Sequence, residues 1–395
     1  SIFLKLLAGS LETWKQLSIY SDKKIGGIAW RIIPNHARIY RKDAEVQQTD
    51  LNALRNHFDL LCTLYFASPP LHRLRVDMLR NLVDHSTSHR EACRISVRAW
   101  SRLASFQMST NEPTDKLEPF INWFKDMIQT TVAQYRLART EAEQQFADAK
   151  ASGAIGLGND VLEKTIASNQ RQIAATIVDL LSAFRRALGS ASCADAARNL
   201  ITGCEPWKAV DSFHPSERRL TSVYNEMLAV FKATIDVHQR LHVVSDSHTQ
   251  SEDSQDYGDI DILQEFATGQ TGNNSEEQSL VALMHDSFAQ LVSDAFGSEV
   301  SPDDGFLSRV LDAWILFAKH MVSNGLRSWS NFTIDYNAGA WNQLRDTFQR
   351  RKFTPYVLAM ILETDADAFD TLRTTFLSAW LKSLAERAST LKYQH

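Results

Sequence analysis

Glycine and proline are scarce in this sequence, which has 15 glycines and 9 prolines among 395 residues. Average proteins contain roughly 7% glycine and 5% proline. Sheets and long ordered loops need both residues at their turns, whereas helix interiors exclude them. The shortage therefore argues against β-rich folds and favours long helices.

Cysteine is also rare. The four cysteines, Cys62, Cys93, Cys193 and Cys204, form no C-x-x-C pair, which argues against a disulfide framework or a zinc ribbon. We therefore predict reduced and mostly buried thiols, as in a cytosolic or nuclear protein. Apolar runs such as Trp314–Ala318 are far shorter than the roughly 20 residues that a membrane span requires.

The charge balance is mildly acidic, with a formal net charge of −5 and a hydrophobic content of 44%. This hydrophobic content supplies a sizeable core and excludes wholesale disorder. The negative charge is not typical of a dedicated DNA-binding protein. The chain opens at Ser1, without Met or a signal peptide, and already in a helical apolar pattern, so we expect it to be a piece of a longer protein.

Helical periodicity is clear from residue 50 onward. Asp50 can cap a first helix in which apolar residues recur at steps of three and four up to Ser68. Two long amphipathic segments follow, at about 117–151 and 160–188, and glycines between 153 and 158 separate them. We predict a long helical hairpin at about 117–188 that projects from an α-helical scaffold spanning residues 1–244.

The composition changes sharply at residue 245. Residues 245–278 are nearly all small, polar or acidic, so they cannot bury enough apolar surface to order themselves. Helical patterns resume in a C-terminal region at 279–395. The predicted fold class is therefore all-α: an irregular helical solenoid, or stacked antiparallel hairpins, interrupted by a disordered acidic insert.

No group of residues in the sequence predicts a catalytic, cofactor or metal site. The glycine run at 153–158 lacks the G-x-G-x-x-G order and the Gly-Lys-Ser/Thr of a phosphate-binding loop. His85 and His89 are four residues apart, but the serines and threonine between them are typical of a helix boundary. His285-Asp286 lacks the second histidine pair that a helical phosphohydrolase needs. Surface and capping roles are favoured for all of them.

The acidic insert contains a candidate protein-binding motif, because apolar residues inside an acidic linker can fold on a partner. A linker with incidental hydrophobic residues is an equally good interpretation. Thr249 and Ser254, each followed by glutamine, are candidate phosphosites beside the motif. The motif residues are Asp259, Ile260, Asp261, Ile262, Leu263 and Phe266.

Two basic clusters lie near aromatic residues, a combination that nucleic-acid surfaces show. Because the whole chain is acidic, we favour a solvated helix face or a protein-docking patch, and a DNA-binding helical scaffold is the alternative. The clusters consist of Arg38, Arg41 and Lys42, and of Arg350, Arg351 and Lys352.

Several stretches together resemble the fungal methyl-methanesulfonate-sensitivity protein twenty-two (Mus-seven) family, and the likeness spans nearly the whole chain. They are structural signatures rather than catalytic ones. The stretches are Leu54–Tyr65, Ala67–Pro70, Asn81–Asp84, Ser88–Cys93, Val97–Trp100, Gly325–Trp329, Arg351–Tyr356 and Leu391–His395.

The resemblance implies a nuclear protein that helps replication forks survive DNA damage. It would act without catalysis, as the scaffold or substrate-recruiting subunit of a cullin ubiquitin ligase. The implied partners are a β-propeller adaptor of that ligase, a BRCT-repeat scaffold and the trimeric replisome hub. Hub-binding boxes resemble an acidic Asp-Ile-Leu segment, from which Asp259–Leu263 differs by one residue inserted between the acids.

Overall fold

A computed structural model describes residues 46–67, 90–110, 114–151, 158–210 and 220–249, and eight isolated positions between 306 and 385. All regular elements in these ranges are helices, which confirms the all-α prediction. None of these helices combines the length and the apolar character needed to cross a membrane. The solenoid arrangement stays a prediction.

The helices are named here in chain order. A short 3-10 turn at Thr114–Leu117 precedes the third helix. The helices are α1 (Gln48–Ala67), α2 (Arg90–Ser109), α3 (Glu118–Ala151), α4 (Gly158–Gly189), α5 (Ala194–Cys204), α6 (Pro206–Val210) and α7 (Thr221–Thr249).

The chain divides into two compact units. Unit 1 contains the described residues up to Ala209 and the segment Val237–Val243 of α7. Unit 2 contains Val210–Asp236 and the residues from Val244 onward.

Helix α1 starts two residues before the predicted cap. Asp50 lies in its first turn, where the carboxylate accepts a hydrogen bond from the backbone N–H of Gln47 at 3.2 Å. The side chain thus reaches back to an N–H group that the helix itself cannot satisfy, as the second member of a capping box does.

Helices α3 and α4 correspond to the two long amphipathic segments of the sequence. They have 34 and 32 residues, which makes each about 50 Å long at 1.5 Å per residue. Between residues 136 and 151 most α3 side chains are exposed, and Ala142 is buried. The C-terminal half of α3 therefore offers a long solvent-facing surface with a narrow packed seam.

The core of unit 1 is aromatic. The indole rings of Trp100 in α2 and Trp123 in α3 stack with centroids 4.9 Å apart and an interplanar angle of 14°. Phe120 and Phe124 meet these rings edge-on, and Phe124 continues to Phe184 of α4 at 5.8 Å. Large rings with two rotatable bonds bury much apolar area at low entropic cost. This chain of rings fixes α2, α3 and α4 against one another.

Helix ends in unit 1 are capped by residues distant in sequence. Ser192 donates its backbone N–H to the carbonyl oxygen of Met108 at 3.0 Å. Arg240 donates to the carbonyl oxygens of Gly189 and Ala191 at 3.1 and 2.8 Å, at the C-terminal end of α4. A guanidinium suits this position because the last carbonyls of a helix are unpaired and carry partial negative charge.

In unit 2, the described contacts involve residues of α7. The ring of Tyr224 lies 5.8 Å from that of Phe306, and Arg309 donates from Nε to the Oδ1 atom of Asn225 at 2.9 Å. Phe306 and Val310 are buried. Helix α7 continues to Thr249, five residues into the stretch for which the composition predicts disorder. Residues 250–278 lie outside the described ranges.

A close approach between α5 and α3 depends on Gly203. A β-carbon at this position would lie 2.4 Å from the Cγ2 atom of Ile121. Replacing Gly203 by alanine should therefore lower the free energy of unfolding by about 1–3 kcal/mol, because Ile121 or the whole α5 helix has to shift. Urea denaturation followed by circular dichroism measures the loss.

Gly189, at the end of α4, is the matched control, because a β-carbon there would meet nothing within 4 Å. Gly189→Ala should change stability by less than about 0.5 kcal/mol, or raise it slightly, since alanine loses less backbone entropy on folding. Combining Gly203→Ala with Ile121→Ala should recover part of the loss. If the two glycine variants were equally destabilised, the Gly203–Ile121 contact would not be the cause.

Candidate functional site

Most of the residues predicted from sequence to carry function lie outside the described ranges. This applies to the motif at 259–266, to Ser254, to both basic clusters and to the histidines at 85, 89 and 285. Thr249 is the last residue of α7, and Gly158 is the first residue of α4. The roles assigned to them stay predictions.

Most of the cysteine side chains in unit 1 are packed in its interior. Cys62, Cys93 and Cys204 are buried, and Cys193 is exposed, which agrees with the prediction of mostly buried cysteines. Burial raises the pKa of Cys62 and Cys204 to about 12 and that of Cys93 to about 11. A thiol acts as a nucleophile only when ionised, so these three are inert at neutral pH. Across the described residues, no group of three His, Cys, Asp or Glu side chains could hold a metal ion.

A row of arginines on α2 is the most distinctive polar feature of the described surface. Arg90, Arg94, Arg98 and Arg102 recur at every fourth position, so each lies about 6 Å further along the helix and about 40° further around it than the one before, and the four together span about 120° of the helix surface. We call these four residues the arginine row. α2 packs against both α1 and α4, so the row runs between two neighbouring helices.

Two carboxylates, one on α2 itself and one on α4, hold Arg94 in place. Its Nη1 atom lies 3.3 Å from Oε2 of Glu91, and its Nε atom lies 3.2 Å from Oδ2 of Asp179 in α4. Glu91 also pairs with Arg55 of α1 at 3.7 Å. These groups are about a third to a half exposed, so each pair stabilises the fold by only about 0–1 kcal/mol. Their main effect is to fix the direction of the guanidinium.

Arg102 is held in a comparable way from α1. Its Nη1 atom donates to Oδ1 of Asp59 at 2.6 Å, and its guanidinium carbon lies 5.8 Å from the ring centre of Phe66. The Phe66 ring packs on Phe106 of α2 with centroids 4.8 Å apart. A charge-assisted hydrogen bond and a cation–π contact together restrict the side chain to one orientation.

Arg90 and Arg98 differ from the other two members of the row. Both are exposed, and in the described part of the chain neither has a carboxylate partner. Arg98 stands between Arg94 and Arg102, one helical step from each. An exposed guanidinium flanked by two fixed ones can bind a carboxylate or phosphate in the two-pronged geometry that arginine favours.

The spacing of the four arginines can be read from the sequence. Which of them pair with carboxylates cannot. Among the described residues, three acids (Asp59, Glu91 and Asp179) pair with Arg55, Arg94 and Arg102, and the other two members of the row have no carboxylate partner. The acids come from α1, α2 and α4, so only packing brings them to particular arginines. A periodicity search for basic residues, in addition to one for apolar residues, would have found the row.

Residues 1–395 match the Mus7/MMS22 family. The chain belongs to the Mus7/MMS22 family. A similar family member is protein mms22 of Schizosaccharomyces pombe, which is 21% identical over 398 residues and covers 97% of this chain. The family named from the sequence stretches is thereby confirmed.

The fission-yeast protein is much longer than this chain. The chain spans about a fifth of its length, since the match covers 20% of the fission-yeast protein. What the whole family protein binds can therefore depend on regions beyond this segment. No solved structure matches the chain.

Proposed function

We propose that this chain is part of a non-catalytic scaffold that recruits substrates to a cullin-type ubiquitin ligase at damaged replication forks. The observation that carries the proposal is the match to the Mus7/MMS22 family across residues 1–395. That family is linked to the DNA-damage response. The finer role in the ligase and at the fork is the proposal.

The physical character of the described residues supports a scaffold. The buried thiols of unit 1 stay protonated at neutral pH, and its aromatic residues pack in the core. Long helices with extended exposed faces, as on α3, present large surfaces to partners. Helical scaffolds use such surfaces for binding and leave the chemistry to their partners.

The proposed partners are a β-propeller adaptor of the ligase, a BRCT-repeat scaffold and the trimeric replisome hub, and the proposed location is the nucleus. The segment Asp259–Leu263 is the candidate hub-binding motif. Its apolar residues would fold on the hub, with their acidic neighbours keeping the free segment soluble.

A pull-down tests the proposal. The tagged chain is incubated with fungal nuclear extract after DNA damage, and the retained proteins are identified by mass spectrometry. We expect cullin, adaptor and hub to co-purify. In the variant Ile262→Ala/Leu263→Ala, the hub alone should be lost, because the two anchors of the motif are removed while the helical units are unchanged.

Two results would contradict the proposal in different ways. If none of these proteins is retained, this segment does not carry the ligase-recruiting role. If the hub is retained equally by both proteins, the motif is not its docking site. The variant Asn273→Ala/Asn274→Ala, which leaves both anchors and both candidate phosphosites in place, is the matched control for changes in the insert.

A further inference from the structure

We infer that the arginine row on α2 is a docking site for an acidic peptide segment of a partner protein. The inference rests on the proposed scaffold role in one respect, that the chain has protein partners. The proposed site is a surface of unit 1 for which no sequence motif predicted a function. Arg94 and Arg102 are the fixed members on either side of Arg98, and Arg98, with Arg90 one step beyond Arg94, supplies guanidinium groups to the incoming carboxylates.

The spacing of the row sets the form of the ligand. Successive members rise by about 6 Å along α2, and glutamates four residues apart on a partner helix rise by the same distance. Because neighbouring arginines also differ by about 40° around α2, one such acidic helix can place carboxylates in register at Arg98 and at an adjacent member of the row. Arg98 needs no rearrangement to bind, because it is exposed and has no carboxylate to release within the described residues.

The charges around the row favour a peptide over nucleic acid. Three carboxylates, those of Asp59, Glu91 and Asp179, lie among its arginines. A nucleic-acid backbone would bring a phosphate close to each of them, and its affinity depends on neutralising many phosphates at once. A short acidic helix can place its few carboxylates at the guanidinium groups and neutral side chains next to the three acids, whereas a nucleic-acid strand carries a charge at every nucleotide.

Fluorescence anisotropy with the purified 395-residue chain tests the inference. The probe is a labelled alanine-based peptide with glutamate at every fourth position. Its control has the same composition, with the glutamates placed next to one another. We expect the spaced peptide to bind, and Arg98→Glu to weaken that binding by about tenfold, since a central attraction becomes a repulsion.

The matched variant is Arg171→Glu on α4. Arg171 is also exposed, and its replacement by glutamate changes the net charge by the same amount as Arg98→Glu does. It lies outside the row. Its affinity for the spaced peptide should stay within about twofold of the wild type. Circular dichroism of both variants should be unchanged, because neither arginine has a carboxylate partner in the described part of the chain.

Each remaining outcome would overturn the inference. Equal weakening by Arg98→Glu and Arg171→Glu would mean that only net charge matters. Equal binding of the two peptides would remove the spacing argument, as would the absence of binding at low salt. If single-stranded DNA bound more tightly than the peptide and was lost in Arg98→Glu, the row would be a nucleic-acid surface. These assays use purified protein, so their failure is separable from failure of the pull-down.

Discussion

Replacing Trp100 by alanine should lower the free energy of unfolding of unit 1 by about 3–5 kcal/mol. The Trp100 side chain is fully buried, stacks on Trp123 at 4.9 Å and meets Phe120 edge-on at 5.7 Å. Its removal opens a cavity where α2 and α3 meet and also deletes two ring contacts. Each such contact contributes about 0.5–1.5 kcal/mol beyond the buried area.

Hydrogen exchange measures this loss best, because it reports the opening of α2 and α3 separately from the rest of the chain. Trp100→Phe should cost clearly less than Trp100→Ala, because it keeps an aromatic ring in the stack. Leu137→Ala is the control for an exposed apolar residue, since Leu137 is 59% exposed. It should change protection by less than about 0.5 kcal/mol. Equal effects of Trp100→Ala and Leu137→Ala would show that the ring stack does not hold unit 1 together.

Long periodic patterns made the main helices predictable. The segments at 117–151 and 160–188 became α3 and α4 within two residues, because a long apolar stripe must face a neighbouring helix. Helix α5, by contrast, was not predicted, although its buried residues Ala197, Leu200, Ile201 and Cys204 recur at helical spacing. It has 11 residues, and its position depends on Gly203 touching Ile121 and on the Cys204 thiol donating to the Ile121 carbonyl. Contacts with a helix that is distant in sequence therefore determine the position of such a short helix.

The candidate site was less predictable than the fold, and for a physical reason. The arginine spacing of α2 is local, whereas the choice between a paired and an available guanidinium depends on Asp59 and Asp179, which lie 43 residues before Arg102 and 85 residues after Arg94. A sequence alone does not show which arginine meets which acid. The sequence therefore shows where the arginines are, but it does not show which of them is unpaired and available to a partner.

Alkaline pH should destabilise unit 1 through its three buried thiols. Burial is the largest cause of the raised pKa values, about 12 for Cys62 and Cys204 and about 11 for Cys93. At Cys62 the Arg102 guanidinium lowers the pKa by more than Asp59 raises it, so burial alone accounts for the rise, whereas Asp179 adds to the rise at Cys93. The ordinary pKa of the thiol is 9.0, so the unfolded chain ionises first.

The direction of the effect follows from proton binding. Above pH 9 the unfolded thiols release protons that the folded ones retain, so stability falls as pH rises towards 11–12. Below pH 9 both states are protonated and the full stability is present. Each thiol should cost roughly 1.4 kcal/mol at pH 10, and the three together roughly 4 kcal/mol.

Urea denaturation at pH 8 and pH 10 measures the loss, and a variant with alanine at positions 62, 93 and 204 isolates the part due to the thiols. The variant starts from a lower stability because three side chains are smaller, but its stability should fall less between the two pH values. Tyrosine and lysine ionise in both proteins and cancel in the comparison. An equal fall in the variant would mean that the buried thiols are not the groups that ionise on unfolding.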